Sequence, residues 1–398
     1  MRTWVTALLV TACLGGAAVA SPTAQQPGGS GTVAIRASQT RLGLLDRSGR
    51  PVDGRGTSIA VIDTGVDPMH PALLLPDGTS KVVRSLSVVP CVAQQAISSN
   101  LSCVTDVPPT VPTDAAQGGH GTFIAGVAVG NPMTLPDGTR VGGVAPGARV
   151  VMLSSTTALQ GIDVAFAWVL AHHRKPCGEG VPAATCPPIR VLSLSWGADD
   201  PVIAGLEKAL VAEGVTVVWA NGNSGGDGST SNSNPDPAAN PTPGILTIAG
   251  YDDGGTGSRS GHLSPTSSRG AKADPRTWPD LSAPGENVTS SCRAWFAVCD
   301  AVGSSPRNGP GPTDVATYWT GSGTSWAAPH VAGVIAQLLQ VRPDATPAVL
   351  DAVLKKTAWR YRDGAPYQRV GRWFGSFDKG AGLVDAYAAA LCLGARRR

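Results

Sequence analysis

Three short segments of the 398-residue chain hold the residue types that acyl transfer by a hydroxyl nucleophile requires. In AVIDTGVDPMHP (residues 60–71) an acid, Asp63, appears where an apolar run ends. In GGHGTFIAG (118–126) His120 stands between glycines at the start of a helical pattern. In GSGTSWAAPHVAG (321–333) Ser325 opens a long apolar helix that runs past Leu339. Serine is a poor nucleophile at its free pKa. A neutral imidazole must take its proton, and a buried carboxylate must hold that imidazole in one tautomer and stabilise its charged form. Flanking glycines let backbone and substrate approach closely. A serine at a helix N-terminus also has free N–H groups nearby for developing negative charge.

Each residue alone has an ordinary interpretation. An aspartate before Thr-Gly is a turn former. Asp67 and His70 compete for the roles of Asp63 and His120, but DPMHP reads as a surface turn. His330, five residues after Ser325, reads as a packed structural histidine. His172 and His173 close an amphipathic helix, where cations suit the dipole. The combination is what points to chemistry.

The elements that must carry these residues alternate. TSIAVID (57–63), ARVVMLSS (148–155), IRVLSLSWG (189–197), GVTVVWANGN (214–223) and GILTIAGY (244–251) are short apolar runs, as expected of strands buried on both faces. GIDVAFAWVLAHHR (161–174) and IAGLEKALVAEG (203–214) are helical patterns between them. The alternation predicts βαβ units: an α/β fold of three layers, α/β/α, with a mostly parallel central sheet and a functional edge at the carboxyl ends of the strands. Residues 90–118 and 291–316 break the rhythm and read as long surface loops. One peptidase-like domain is expected over 35–393, after a flexible segment 21–34 and before a basic tail 394–398.

From about Thr57 to Ala389 the chain resembles the subtilisin-like serine peptidases, with the acid, histidine and serine motifs in that family's order. Gly-Val-Ala-Pro-Gly (143–147), Ser-Ala-Pro-Gly (282–285) and GAGLVDAYAA (380–389) look like further landmarks. The resemblance implies a subtilisin-like fold in which Asp63 orients the imidazole, His120 is general base and then acid, and Ser325 attacks a peptide carbonyl. It places an oxyanion-hole amide on Asn223 in ANGNSG (220–225), with the Ser325 backbone N–H as second donor. It also places Ser195, Trp196 and Gly197 on a substrate-pairing edge, and Ala220, Asn221 and Gly222 on the facing wall of the specificity pocket. Asn221 there suggests a pocket that is not wholly apolar.

A polypeptide substrate and a monomer are expected, with no cofactor required for the chemistry. Structural calcium is common in the family, but no Asp-x-Asp-x-Asp loop assigns it here and no metal ligand is named. The chain departs from the family in three places. Trp326 follows the nucleophile where many members have methionine, which removes a thioether and puts a bulky ring where it narrows the site. The interval from Asp63 to His120 is long, 57 positions. Only about 35 residues separate Ala20 from Thr57, too few for a separately folded inhibitory segment.

Composition excludes other classes. Hydrophobic residues make up 42% and charged residues 15%, which excludes a mostly disordered chain. The balance of 31 basic against 28 acidic residues is too even to indicate nucleic acid. Residues 1–20 have a charged start, a short apolar middle and an Ala-Val-Ala end, so they read as a secretory signal peptide. The alternative is a lipidation box ending at Cys13, giving a lipid-anchored protein. No later run is long enough for a transmembrane helix. Of the other cysteines, the close pairs Cys91 and Cys103, Cys177 and Cys186, and Cys292 and Cys299 suit disulfides that staple surface loops after export. Cys392 is left over.

Overall fold

The computed structural model describes residues 29–89, 103–114, 119–135, 137–155, 161–293 and 316–398. Nine strands form the central sheet. They are β1 (Ser58–Asp63), β2 (Val82–Val88), β3 (Val104–Val107), β4 (Arg149–Ser155), β5 (Ile189–Leu194), β6 (Thr216–Ala220), β7 (Ile245–Asp252), β8 (His262–Leu263) and β9 (Leu281–Pro284). Their order is β8-β7-β6-β5-β1-β4-β2-β3, with β9 also paired to β7. Every pairing is parallel except β7–β8 and β2–β3 at the two ends. The five apolar runs are therefore strands, and all five lie inside the sheet, as does β2.

The period of two along β1 separates the layers. Ile59 and Val61 pack into one core with Phe123, Val127, Val331 and Ile335. Ala60 and Ile62 pack into the other with Phe166, Val169 and Leu210. The first core is built by the helices α3 (His120–Val129) and α6 (Thr324–Val341), and the second by α4 (Ile162–His172) and α5 (Pro201–Ala212). All six residues of β1 are buried, as a strand covered by helices on both faces must be. The fold is thus the three-layer α/β/α arrangement.

The described residues nearest the two ends of the chain are held in regular structure. Residues 30–34, assigned from sequence to a flexible segment, form a short helix α1 (Ser30–Ala34), followed by α2 (Ala37–Gly43). The reason is close packing: a Cβ at Gly31 would lie 2.8 Å from His330 Nε2 and 2.9 Å from Pro284 Cβ. Arg36 is further tied to Asp385, just before α8 (Ala386–Cys392), by a two-pronged ion pair. The basic tail also belongs to the fold. Arg396–Arg397 pairs antiparallel with Leu44–Leu45, which satisfies backbone groups beside α2.

The rhythm-breaking stretches are likewise not wholly loops. Val104–Val107 adds an antiparallel edge strand to β2, held by Arg84 on Asp106. Val288–Arg293 (β10) and Ala316–Gly321 (β11) form a two-stranded ribbon. DPMHP is not a surface turn, because Asp67 and His70 are fully buried and His70 packs edge-on against Tyr318. Cys177 and Cys186 form a disulfide. Cys103, Cys292 and Cys392 are also disulfide-bonded, so Cys392 is not left over. Cys91 and Cys299, the expected partners of the first two, lie outside the described residues, as do the signal-peptide region and Cys13.

Candidate active site

Asp63 is the last residue of β1 and His120 the first of α3. Asp63 Oδ1 and His120 Nδ1 are 2.8 Å apart, and the Thr64 N–H donates to the same Oδ1 at 2.7 Å. This contact holds Nδ1 as the protonated nitrogen and leaves Nε2 as the basic one. Burial pulls the His120 pKa down, but the Asp63 charge and hydrogen bond outweigh it, with Asp114 adding to them, and the net shift is upward. The approach of α3 to β1 depends on glycine: a Cβ on Gly121 would lie 2.1 Å from the Gly65 carbonyl oxygen.

The Trp326 ring packs at a tilt against two neighbours, 5.0 Å from His120 and 4.0 Å from Phe123 between ring centres. It is buried, so it supports the histidine and does not narrow the site.

Ser325 is the second residue of α6. Its neighbourhood follows from Pro329, which has no N–H to give the Ser325 carbonyl in the usual i to i−4 pattern. The Ser195 hydroxyl fills that vacancy, donating to Ser325 O at 2.7 Å. In return the Ser325 hydroxyl donates to Ser195 O at 2.8 Å. The Ser325 hydroxyl is therefore engaged by the segment that directly follows β5.

Asn223 meets the start of the same helix. Its Oδ1 accepts from the Thr324 N–H at 2.8 Å and from the Thr324 hydroxyl at 3.0 Å. With the oxygen committed, the exposed Nδ2 is the donor left to face a ligand.

The remaining expected residues are brought to the same region, but not all with side chains toward solvent. Residues 195–197 follow the interior strand β5 and are not themselves a strand; Trp196 is half-buried and donates from Nε1 to Ile62 O at 2.8 Å, which locks this segment to β1. Gly197 lies under Asn234, whose side chain would be 2.3 Å from any Cβ there. Ala220 is the buried end of β6, and the Gly222 N–H donates to Thr324 Oγ1 at 3.0 Å. Asn221 corrects the expectation of a polar pocket wall. It is fully buried, with Nδ2 donating to Ser268 O at 2.6 Å, so its amide serves the fold behind the wall.

Three residues passed over in the sequence also join the site. Thr64, Asp114 and Thr122 form a hydrogen-bonded cluster between β1 and α3. The only sequence signal for them is that each is a capping residue type close to Asp63 or His120. Among the described residues no group of three or more His, Cys, Asp or Glu side chains is placed to share a metal ion.

The Subtilase family model matches residues 54–377, which span both walls of this site. The chain belongs to the subtilase family. It is 30% identical over 335 residues to serine protease AprX of Bacillus subtilis, covering 80% of this chain and 65% of that protein. It is 31% identical over 361 residues to an extracellular protease of Xanthomonas campestris pv. campestris, covering 84% of this chain and 51% of that one. This subtilase thus spans about half to two thirds of the length of these relatives. A solved protease structure from Pseudoalteromonas arctica has the same fold, with a TM-score of 0.58 and 23% identity, covering 94% of this chain and 96% of that one. Among the described residues of this subtilase no helix is long and apolar enough to cross a membrane.

Proposed function

We propose that this subtilase is an exported serine endopeptidase that hydrolyses peptide bonds through an acyl-enzyme. The observation that carries this is the 2.8 Å contact between Asp63 and His120 Nδ1, which leaves Nε2 as a base beside α6, whose second residue is Ser325. A peptide that pairs with the segment 195–197 after β5 competes for the Ser195 carbonyl, so the Ser325 hydroxyl is released from it. The hydroxyl proton then passes to His120 Nε2 as Oγ attacks the scissile carbonyl. The oxyanion accepts from Asn223 Nδ2 and the Ser325 N–H. His120 returns the proton to the leaving amine, the amine departs, and water activated by the same imidazole hydrolyses the ester. Export rests on the N-terminal pattern and on likeness to a relative named as extracellular.

The test is treatment of the purified protein with a serine-directed phosphonofluoridate, with the adduct located by mass spectrometry beside a Ser325→Ala control. One adduct on Ser325, absent from the control, is the expected result. Folded protein that takes up no adduct would leave a binding role on a peptidase scaffold as the better account.

A further inference from the structure

α3 carries the base, yet its own N-cap residue, Gly119, offers no side-chain acceptor to the first turn. The orphan N–H groups of that turn are met from outside the helix. Gly121 N–H donates to Thr64 Oγ1 at 2.9 Å, and Thr122 N–H donates to Asp114 Oδ2 at 2.9 Å. The Thr122 hydroxyl adds a bond of 2.7 Å to the same oxygen. The Thr64 hydroxyl completes the cluster by donating to Asp114 Oδ1. Asp114 itself is fully buried. Thr64 directly follows Asp63, and Gly121 directly follows His120, so the cluster ties the residue after one expected catalytic residue to the residue after the other.

We propose that Asp114 is a positioning residue for the base: its carboxylate caps α3 from outside and, through the Thr64 hydroxyl, ties the helix bearing His120 to the turn bearing Asp63. This rests on the triad assignment above and deepens it. The geometry has an electrostatic consequence. The charged groups acting on His120 are Asp63 and Asp114, both negative, and no cation among the described residues opposes them. A second buried anion behind the imidazole favours its charged form, the form it takes when it holds the serine proton. Asp114 is itself pushed up to about 6, by burial first, against the hydrogen bonds from Thr64 and Thr122 and with the Asp63 charge adding. Asp114 is therefore charged above about pH 6, and there it adds to the negative field that Asp63 puts on His120.

The experiment measures the pH dependence of phosphonofluoridate inactivation in the wild type and in Asp114→Asn, Thr64→Val and Thr64→Ser. Adduct stoichiometry counts the competent molecules, so partial misfolding does not distort the rates. Asp114→Asn keeps the shape and removes the charge. Its acidic limb should move to lower pH, and its plateau rate should fall about tenfold, as for other residues that orient a catalytic side chain. Thr64→Val should lose a similar factor, and Thr64→Ser should restore the wild-type rate because the hydroxyl is kept. An unmoved limb in Asp114→Asn, with Ser325 still labelled in the wild type, would overturn the role of Asp114 alone. A wild type without label at Ser325 would overturn the triad assignment and this inference with it.

Discussion

Replacing Asn223 by alanine separates an oxyanion donor from a loop residue that only packs. Oδ1 of Asn223 is held by two donors from Thr324, at 2.8 and 3.0 Å, so the side chain cannot flip without losing both. Nδ2 is then fixed on the side of Gly323, two residues before Ser325: it lies 3.4 Å from where a Gly323 Cβ would stand. A pre-aimed donor of this kind is worth about 3–4 kcal/mol of barrier, a magnitude established for such asparagines in this enzyme family. At about 1.4 kcal/mol per tenfold, kcat should fall by about 10²–10³. KM should change little, because the bond forms fully only with the oxyanion. Unfolding should cost about 1–3 kcal/mol less, since the buried Thr324 loses the acceptor of its N–H and hydroxyl. Asn223→Asp sharpens the contrast, because it keeps the acceptor for Thr324 but presents a negative charge to the oxyanion; its kcat should fall further. Both are read from kcat and KM on a chromogenic peptide anilide, normalised to active sites. A kcat within about threefold of wild type in Asn223→Ala would refute the assignment. So would a loss that appears mainly in KM.

Because Asp63 and Asp114 raise the His120 pKa against burial, kcat/KM should rise with pH through a midpoint above the ordinary histidine value. Asp63→Asn should move that midpoint down and lower kcat by about 10⁴, which a pH–rate series tests directly. The same upward shift means that folding favours the imidazolium. Its contribution to stability is full below about pH 6.5 and is lost as pH rises through the folded-state value. His120→Gln should remove that slope from urea-unfolding data. In Gly121→Ala the new Cβ falls 2.1 Å from Gly65 O, so α3 must move, and kcat/KM should drop about 10²-fold or more; unchanged kinetics would contradict the close approach. Lys355→Met strands Asp280 and Asp351, which its Nζ now meets at 2.6 and 2.8 Å, and should cost about 3 kcal/mol in urea unfolding, with a smaller loss at low pH as the carboxylates protonate. With no thioether after the nucleophile, activity should survive peroxide at doses that inactivate a Trp326→Met variant.

The amino-acid sequence by itself determined the layered α/β architecture, because buried parallel strands must be short continuous apolar runs and their crossover helices must show an apolar face. Five such runs are β1, β4, β5, β6 and β7, all inside the sheet. It also marked Asp63, His120 and Ser325, since a strand end, a glycine-flanked helix start and a serine opening an apolar helix are local patterns. Tertiary structure decided the rest. Arg36 and Asp385 are 349 positions apart, and the tail pairs with Leu44–Leu45 across a similar interval, so the ordering of these segments left no local trace. Asn221 is polar in the sequence, yet Ser268, 47 positions on, takes its amide into the interior. Asp114 reaches Thr64 across 50 positions. A hydrogen bond has no period and no composition: it is legible only once the fold has brought donor and acceptor within about 3 Å of each other.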